Sequence, residues 1–300
     1  MKNLHFISGL PRSGSTLLCQ ILNMNPKFLA TATSPVLDML QSMQHVFSHN
    51  GSYKAVDRLE HYDNFADAQA AYLKTWYGVP NKTVFDKNRG WPMHLMRLDE
   101  ILDNEDSKII WTYRDPIQVI SSMEKQHRKY SLIQHNEQAT AQGAGMATLD
   151  GRIAAWTAEA GIVTFPMRAL HEAVHTGYKD RIKIIDYKTL CSDTQKTMDD
   201  IHEFLELEPY SYDKNKWADL KQVTVEHDHL YNYKYPHQIT QGEIKYSETE
   251  IKDMEGYTEI IKKRYEWMIK YCSDQINQNA NQRVSREQRR KQKATMKKAS

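Results

Sequence analysis

The chain lacks the features of a disulfide-linked, metal-clustered or membrane-spanning protein. Only three of its 300 residues are cysteine, and Cys19, Cys191 and Cys272 lie far apart in the sequence. They form neither a disulfide framework nor a CxxC metal motif, so we expect no metal and a reducing, cytoplasmic location. No stretch approaches the roughly 20 apolar residues that a membrane-spanning helix needs, and the first residues lack the apolar core of a signal peptide.

Charge is balanced overall but not along the chain. The net charge is +2, yet residues 281–300 hold eight lysines and arginines against Glu287 alone, which leaves the preceding 280 residues at −5. We therefore predict one globular domain over residues 1–275 and a flexible basic tail over residues 276–300. In the alternative, the tail contacts nucleic acid, membrane phosphate or an acidic acceptor; apart from this role, we expect no nucleic-acid partner.

The first motif is a strand, a loop of small residues and the start of a helix. Leu4, Phe6 and Ile7 lie in a short apolar run, and apolar residues recur at helical spacing from Leu17 to Leu22. Between them, glycine and serine let backbone N–H groups converge, and a helix N-terminus favours an anion. The sequence therefore predicts a cradle for phosphate or sulfate, formed by Pro11, Arg12, Ser13, Gly14, Ser15 and Thr16.

This loop has the glycine spacing of a Walker A motif but not its lysine. Gly9 and Gly14 are correctly spaced, whereas Ser15 stands where the lysine is expected and Arg12 is the only cation in the loop. A kinase that uses ATP and Mg²⁺ would need that lysine. Such a kinase is one alternative, and a turn that binds no ligand is another.

A second strand–helix motif follows near the end of the first third of the chain. Residues 109–113 form a β-rich apolar run, and Asp115 followed by Pro116 is a strong signal for the start of a helix. This reading places Arg114 at the end of a strand and Ser122 about two turns into the following helix.

These two motifs together resemble the sulfotransferases that use 3′-phosphoadenosine 5′-phosphosulfate (PAPS). A third segment, residues 184–190, is similar to the family's strand–"Tyr-Glu-Asp-Leu"–helix segment, so the resemblance spans roughly residues 4–208. It implies that the first loop holds the 5′-phosphosulfate, that Arg114 and Ser122 hold the 3′-phosphate, and that Tyr187 lies near the adenine.

Strands that alternate with helices predict an α/β fold with a central parallel sheet flanked by helices, and the ligand across the strand ends. The resemblance implies the P-loop NTPase-like form of this fold that sulfotransferases have.

The catalytic base is where the sequence departs from the family. Many bacterial and tyrosylprotein relatives carry a glutamate where this chain has residues 32–34, Ala-Thr-Ser, and cytosolic members carry Lys-Thr-His where it has Lys-Asn-Arg, residues 87–89. Lys87 is retained as a stabiliser of the transferring group, whereas Arg89 cannot be a base at neutral pH. The base must therefore be Asp38, Asp86 or another group. Asp38 and Asp86 each have a structural alternative, as a helix N-terminal charge or an ion-pair partner respectively.

Other segments give weaker expectations. We expect a loop over residues 50–63 and a second loop, which selects the acceptor, over residues 131–149. We also expect a helix over residues 150–175, kinked or split by Pro166, and a closing helix over residues 247–272. Lys234 and His237 are candidates, by position, for the family's loop over the 3′-phosphate. His227 and His229 lack further ligands at metal-binding spacing.

The predicted function is transfer of the sulfuryl group of PAPS to a hydroxyl or amine of an unknown acceptor, a small molecule, glycan or peptide. Transfer would be in line, with Arg12 and Lys87 stabilising charge, a side chain as base and adenosine 3′,5′-bisphosphate as product. A non-catalytic nucleotide-binding module with a degenerate phosphate loop is the alternative of a different class. The acceptor and the oligomeric state are not readable from the sequence.

Overall fold

A computed structural model describes residues 4–55, 58–78, 81–103, 107–129, 147–213, 217, 244–249 and 251–279. Its centre is one parallel sheet of five strands in the order β2-β3-β1-β4-β5. The strands are β1 (Leu4–Gly9), β2 (Phe28–Thr31), β3 (Thr83–Lys87), β4 (Ile109–Tyr113) and β5 (Ile182–Asp186). The predicted α/β fold with a central parallel sheet is confirmed.

Strand β1 occupies the middle of the sheet, and all six of its residues are buried. Such burial on both faces explains why β1, β3, β4 and β5 could be predicted from short apolar runs. The edge strand β2 was not predicted. It is held partly from outside the sheet, because the side chain of Asn23 donates to the Ala30 carbonyl at 2.8 Å and accepts from the Ala30 amide at 2.7 Å.

Helices cover both faces of the sheet. One hydrophobic core packs Leu18, Ile21 and Leu22 of the first helix against the sheet, and a larger core lies on the opposite face. The helices are α1 (Ser15–Leu22), α2 (Val36–His49), α3 (Gly51–Lys54), α4 (Arg58–Trp76), α5 (Leu95–Leu102), α6 (Pro116–Lys129), α7 (Leu149–Thr157), α8 (Thr164–His175), α9 (Tyr187–Ser192), α10 (Thr194–Phe204), α11 (Thr258–Arg264) and α12 (266–279). Short 3₁₀ turns precede α5, β5 and α11, at Trp91–His94, Tyr178–Arg181 and Lys252–Tyr257.

Three predictions of secondary structure need correction. The loop expected over residues 50–63 is wrong, because α3 and the start of α4 lie there. The helix expected over residues 150–175 is split, but the break is at residues 158–163 and Pro166 is the third residue of α8, where a missing N–H costs nothing. The closing helix is preceded by a 3₁₀ turn and broken between α11 and α12.

Several predicted features lie outside the described residues. These are nearly all of the acceptor-selecting loop, the candidates Lys234 and His237, the pair His227 and His229, and residues 280–300 of the basic tail. Helix α12 extends to residue 279, four residues beyond the predicted end of the domain. Within the described ranges, no helix is both long and apolar enough to cross a membrane.

Candidate functional site

The loop between β1 and α1 is held in shape by two close approaches at glycine. Gly9 has a φ of +137°, and a Cβ there would lie 2.3 Å from Oγ1 of Thr112 on β4. Gly14, the residue before α1, has a φ of +85°, and its Cβ would lie 2.5 Å from the ring of Tyr187. Both positions therefore require glycine, and the second brings the predicted loop against a residue predicted to lie near the adenine.

The two serines of the loop have different environments. Ser13 is fully buried, and its Oγ donates to the Leu10 carbonyl at 2.6 Å and lies 2.6 Å from Oγ1 of Thr112. Its hydroxyl thus supports the loop from inside. Ser15 begins α1 and lines a cavity, while Thr16 accepts a hydrogen bond of 3.3 Å from Nζ of Lys87 at the end of β3.

Arg12, Arg114 and Ser122 lie together beside the loop, whereas the resemblance implied only Arg114 and Ser122 for one phosphate and placed Arg12 at the other. Nε of Arg12 donates to Oγ of Ser122 at 3.2 Å, and Nη1 of Arg114 donates to the backbone carbonyl of Arg12, also at 3.2 Å. Asp115 caps α6 by accepting from the amides of Ile117 and Gln118, which fixes Ser122 relative to the strand end. Two guanidinium groups and a hydroxyl therefore face one region beside the loop.

Arg114 is a buried cation without an anionic partner among the described residues. It is 6 % exposed, its guanidinium lies 5.0 Å from the centre of the Tyr187 ring, and its Nε has no hydrogen-bond partner. Desolvation lowers the pKa of Arg114, opposed by the nearby Tyr187 and Tyr246. Burial also raises the pKa of Tyr187 to about 12. A buried guanidinium with an unused donor is suited to an anionic ligand.

Residues 244–249 add to this region, and sequence reasoning did not identify them. Nη2 of Arg114 donates to the Ser247 carbonyl at 3.1 Å and reaches Oγ1 of Thr249 at 3.5 Å, and the ring of Tyr246 lies 5.8 Å from that of Tyr187. No motif marks these residues in the sequence. The resemblance placed the family's late loop within residues 208–246, which includes Tyr246, but the candidates named there were Lys234 and His237.

A cavity of about 530 Å³ opens beside the loop. Gly9 and Ser15 form one side, and Lys87, Asn88 and Arg89 form another. The segment before α2, the segment between α7 and α8 and the first turn of α8 complete the wall, with Ala32, Thr33, Ser34, Pro35, Ala160, Ile162 and Phe165. The cavity thus joins the loop to a partly apolar space of small-molecule size.

Of the two candidate bases, only Asp38 lines this cavity. It lies in the first turn of α2 and is exposed. Lys87 also lines the cavity, at the end of β3, where the sheet register pairs it with Ile7 of β1. An exposed carboxylate and a cation therefore face the same cavity.

Asp86 instead lies in a closed hydrogen-bond network. Its side chain is fully buried and accepts from the Tyr77 hydroxyl, from Nε1 of Trp91 at 2.6 Å and from Oγ1 of Thr31 at 3.4 Å, with Ser34 as a further donor. Burial raises the pKa of Asp86, and these donors oppose the rise. The structural alternative predicted for Asp86, a place in an internal network, fits this geometry. The prediction named Lys87 or Arg89 as ion-pair partners, whereas the donors to Asp86 are the neutral side chains given above.

The described residues contain no group of three or more histidine, cysteine or acidic side chains arranged to hold a metal ion. Charged residues described above at the site include Arg12, Arg114, Lys87, Arg89 and Asp38.

Comparison with known proteins gives one match to a family and several to solved structures. Residues 5–212 match a family model described as the sulfotransferase family. Sulfotransferase STF9 from Mycobacterium avium is 14 % identical over 90 % of this chain and 76 % of that chain, with a TM-score of 0.51. At this identity the similarity is one of fold. Mouse sulfotransferase SULT7A1, solved in complex with PAP, is 12 % identical over 89 % of this chain and 85 % of that chain, with a TM-score of 0.46. No curated protein sequence matches the chain.

Proposed function

Because the chain belongs to the sulfotransferase family, we propose that it transfers the sulfuryl group of PAPS to a hydroxyl or amine of a small acceptor. The observation that carries this proposal is the convergence of Arg12, Arg114, Ser122 and Tyr187 on the glycine loop. PAPS, when bound, supplies an activated sulfuryl group and leaves as adenosine 3′,5′-bisphosphate.

The residues at the loop fit a nucleotide that carries two separated anionic groups. The buried Arg114 has an unused Nε donor, and Arg12 and Ser122 lie beside it, so these three residues would hold the 3′-phosphate. The N–H groups at the start of α1, with the hydroxyls of Ser15 and Thr16, would hold the phosphosulfate. The contact of Tyr187 with Gly14 would leave its ring beside the adenine.

Arg12 was also predicted to neutralise charge on the departing phosphate. Its bond to Ser122 supports a role at the 3′-phosphate instead. Lys87 is better placed for charge stabilisation, because its Nζ is 3.3 Å from Oγ1 of Thr16 and the residue lines the cavity. Positioning and fixed charge would supply most of the catalysis, with the attacking and leaving oxygens in line.

Asp38 is the base that we propose. Among the described residues that line the cavity, it is the only acidic one. A proton accepted there from the acceptor's hydroxyl or amine would leave the side chain neutral, and the exposed position gives that proton a route to solvent. Asp86 has no such access, since its oxygens are enclosed by donors.

The cavity supports a small acceptor with an apolar part. Pro35, Ile162 and Phe165 supply apolar contacts, while Thr33 and Asn88 supply hydrogen bonds. A glycan or peptide could place only its reacting residue in a space of about 530 Å³. A cytoplasmic location stays part of the proposal, supported by three cysteines that are all buried free thiols.

Two alternatives are separable by binding and transfer measurements. We expect calorimetry with the full chain to detect adenosine 3′,5′-bisphosphate and to detect no comparable binding of ATP with Mg²⁺; the reverse result would favour a kinase. Transfer of radiolabelled sulfate from PAPS to a panel of phenols, alcohols, sugars and amines would then separate an enzyme from a binding module. Bisphosphate binding without transfer to any acceptor, and without hydrolysis of PAPS, would favour the module.

A further inference from the structure

One wall of the cavity that Asp38 lines is made of residues 32–35 and the first turn of α2. This α2 wall carries the carboxylate of Asp38, the base in the proposed function. Its position therefore decides where that carboxylate lies relative to Lys87, which lines the same cavity from the end of β3. The contacts that hold the α2 wall to β3 thus bear directly on the transfer step.

Two hydroxyl groups, one on either side of residues 32–33, donate to the carboxylate of Asp86. Oγ1 of Thr31 reaches Oδ2 of Asp86 at 3.4 Å, and the Ser34 hydroxyl is a further donor to the same carboxylate. Oγ of Ser34 also accepts from the amide of Val36 at 3.2 Å, which connects this contact to the first turn of α2. The α2 wall is thus joined at two points to the end of β3.

Asp86 is held in turn by donors from two other elements. Nε1 of Trp91, in the 3₁₀ turn before α5, donates to Oδ1 of Asp86 at 2.6 Å. The hydroxyl of Tyr77, directly after α4, donates to Oδ2 and lies 3.4 Å from Oγ of Ser34. Because Asp86, Tyr77 and Trp91 are all buried, displacement of the carboxylate would leave buried donors without an acceptor, which is costly.

The turn that follows β3 packs closely against the same wall. A Cβ on Gly90 would lie 2.8 Å from Cδ2 of Leu37, in the first turn of α2, and 3.4 Å from the ring of Phe165 in α8. This turn is tied to the central strand, because Oγ of Ser8 donates to the Arg89 carbonyl at 3.0 Å. Hydrogen bonds to Asp86 and close packing on Gly90 therefore fix the α2 wall to one strand end.

We propose that Asp86 is a positioning residue of the transfer reaction, which acts through the hydroxyls of Thr31 and Ser34 to hold Asp38 in place relative to Lys87. Asp86 does not line the cavity itself, and Lys87 follows it directly on β3, so one strand end sets the positions of both the cation and the base. This inference rests on the proposed function, in which Asp38 is the base. Because a misplacement of about 1 Å can cost roughly 100-fold in rate, a cut link should lower the rate of transfer and leave nucleotide affinity unchanged.

A double-mutant cycle of Ser34→Ala and Asp86→Asn tests the link. Trp91 can only donate a hydrogen bond, so in Asp86→Asn the amide oxygen must face it, and the NH₂ group replaces the oxygen that now accepts from Tyr77. Wild type, the single variants and the double variant are compared by kcat for sulfate transfer from PAPS to the panel acceptor that wild type sulfates fastest. Urea denaturation gives their free energies of unfolding, and calorimetry gives their Kd for adenosine 3′,5′-bisphosphate.

We expect each single substitution to lower kcat at least about 10-fold and the double substitution to lower it little further, because both cut the same link. The Kd of the bisphosphate should stay the same in all variants. Thr197→Val is the matched control, because Thr197 is buried on α10 and its Oγ1 donates to the Asp193 carbonyl at 2.9 Å, away from the residues that line the cavity. This control should lower stability and leave kcat unchanged.

Two outcomes with an active wild type overturn the inference alone. Additive losses of kcat would mean that Ser34 contacts the acceptor directly, and coupling in the free energy of unfolding with an unchanged kcat would mean that Asp86 only stabilises the fold. Should Asp86→Asn fail to fold, Thr31→Val decides, because it removes the other hydroxyl at a position outside the cavity lining, and an unchanged kcat there overturns the inference. A wild type that transfers sulfate to no acceptor would instead remove the proposed function, and this inference with it.

Discussion

Nε of Arg12 donates a hydrogen bond to Oγ of Ser122 across 3.2 Å, although the two residues are 110 positions apart in the sequence. Arg12 belongs to a loop with glycines that tolerate no side chain, and Ser122 belongs to a helix capped by Asp115. The backbone near Arg12 is therefore restricted by the contacts of these glycines with Thr112 and Tyr187, and the position of Ser122 is restricted by the cap of its helix. Their contact places the two predicted phosphate-binding motifs in one site.

Loss of the Ser122 hydroxyl should weaken nucleotide binding. A hydrogen bond to a charged group contributes about 1.5–3 kcal/mol, so Ser122→Ala should raise the Kd of adenosine 3′,5′-bisphosphate roughly 10- to 100-fold. The matched control is Ser121→Ala, because Ser121 is also buried on the same helix, whereas the hydroxyl that Arg12 contacts is that of Ser122. Equal effects of the two substitutions, measured by calorimetry, would argue against a phosphate at this position.

Arg114 should matter more than Ser122, because it is a buried cation with an unused donor. Arg114→Ala should weaken the binding free energy of the bisphosphate by about 2–5 kcal/mol. Arg114→Lys should recover only part of that loss, because lysine lacks the planar fork of donors. Arg168→Ala is the control, since Arg168 is half exposed and pairs with Glu159. An unchanged Kd in Arg114→Ala would contradict the assigned 3′-phosphate site.

Asp38→Asn should separate chemistry from nucleotide binding. Without a base in the cavity, kcat should fall about 10²- to 10⁴-fold, while the Kd of adenosine 3′,5′-bisphosphate stays the same. The neutral side chain keeps the shape of the aspartate, and Asp63→Asn, an exposed aspartate on α4, serves as the control. If kcat is retained in Asp38→Asn, another group removes the proton.

The sequence was sufficient for features that depend on local pattern. The apolar runs predicted four of the five strands, and the Asp115–Pro116 pair predicted the start of α6 where the structure has it. The resemblance supplied the pairing of Arg114 with Ser122. Strand β2 was missed because it is only four residues long and depends on the side chain of Asn23.

Roles that depend on distant partners could not be predicted. The charged residues at the end of β3 made Asp86 a candidate base. Its hydrogen bonds come from Tyr77 and Trp91, which lie outside the strand, and the local sequence does not reveal them. The cavity wall at Ile162 and Phe165 comes from the break at residues 158–163 and the start of α8, whereas the sequence predicted a kink or split at Pro166. Tertiary packing decides such contacts, and no local spacing encodes them.

The buried Asp86 should produce a characteristic pH dependence of stability. Burial raises its pKa in the folded protein above the ordinary value of 3.8, so the folded state holds more protons than the unfolded state between these two values. Wild type should therefore lose stability relative to Asp86→Asn as the pH rises from about 4 through the raised pKa. Urea denaturation of both proteins between pH 4 and 7 tests this prediction. If the difference between their free energies of unfolding does not change with pH, the pKa of Asp86 is not raised.

Glu124 should give the opposite dependence, because it is a buried carboxylate with two cations. Its oxygens accept from Arg152 at 2.7 and 2.8 Å and from Arg128 at 2.8 Å. Burial opposes its ionisation, but these bonds prevail and lower its pKa. Its contribution to stability is therefore present above the ordinary value of 4.5 and lost as the pH falls below it.

Removal of one partner of a buried pair costs about 3–5 kcal/mol, so Arg152→Met should destabilise the protein by about that much at pH 7. The exposed pair of Arg168 and Glu159 provides the control, since Arg168→Met should cost at most about 1 kcal/mol. Equal unfolding midpoints for the two variants in urea would show that the pair between α6 and α7 does not stabilise the helix that carries Ser122.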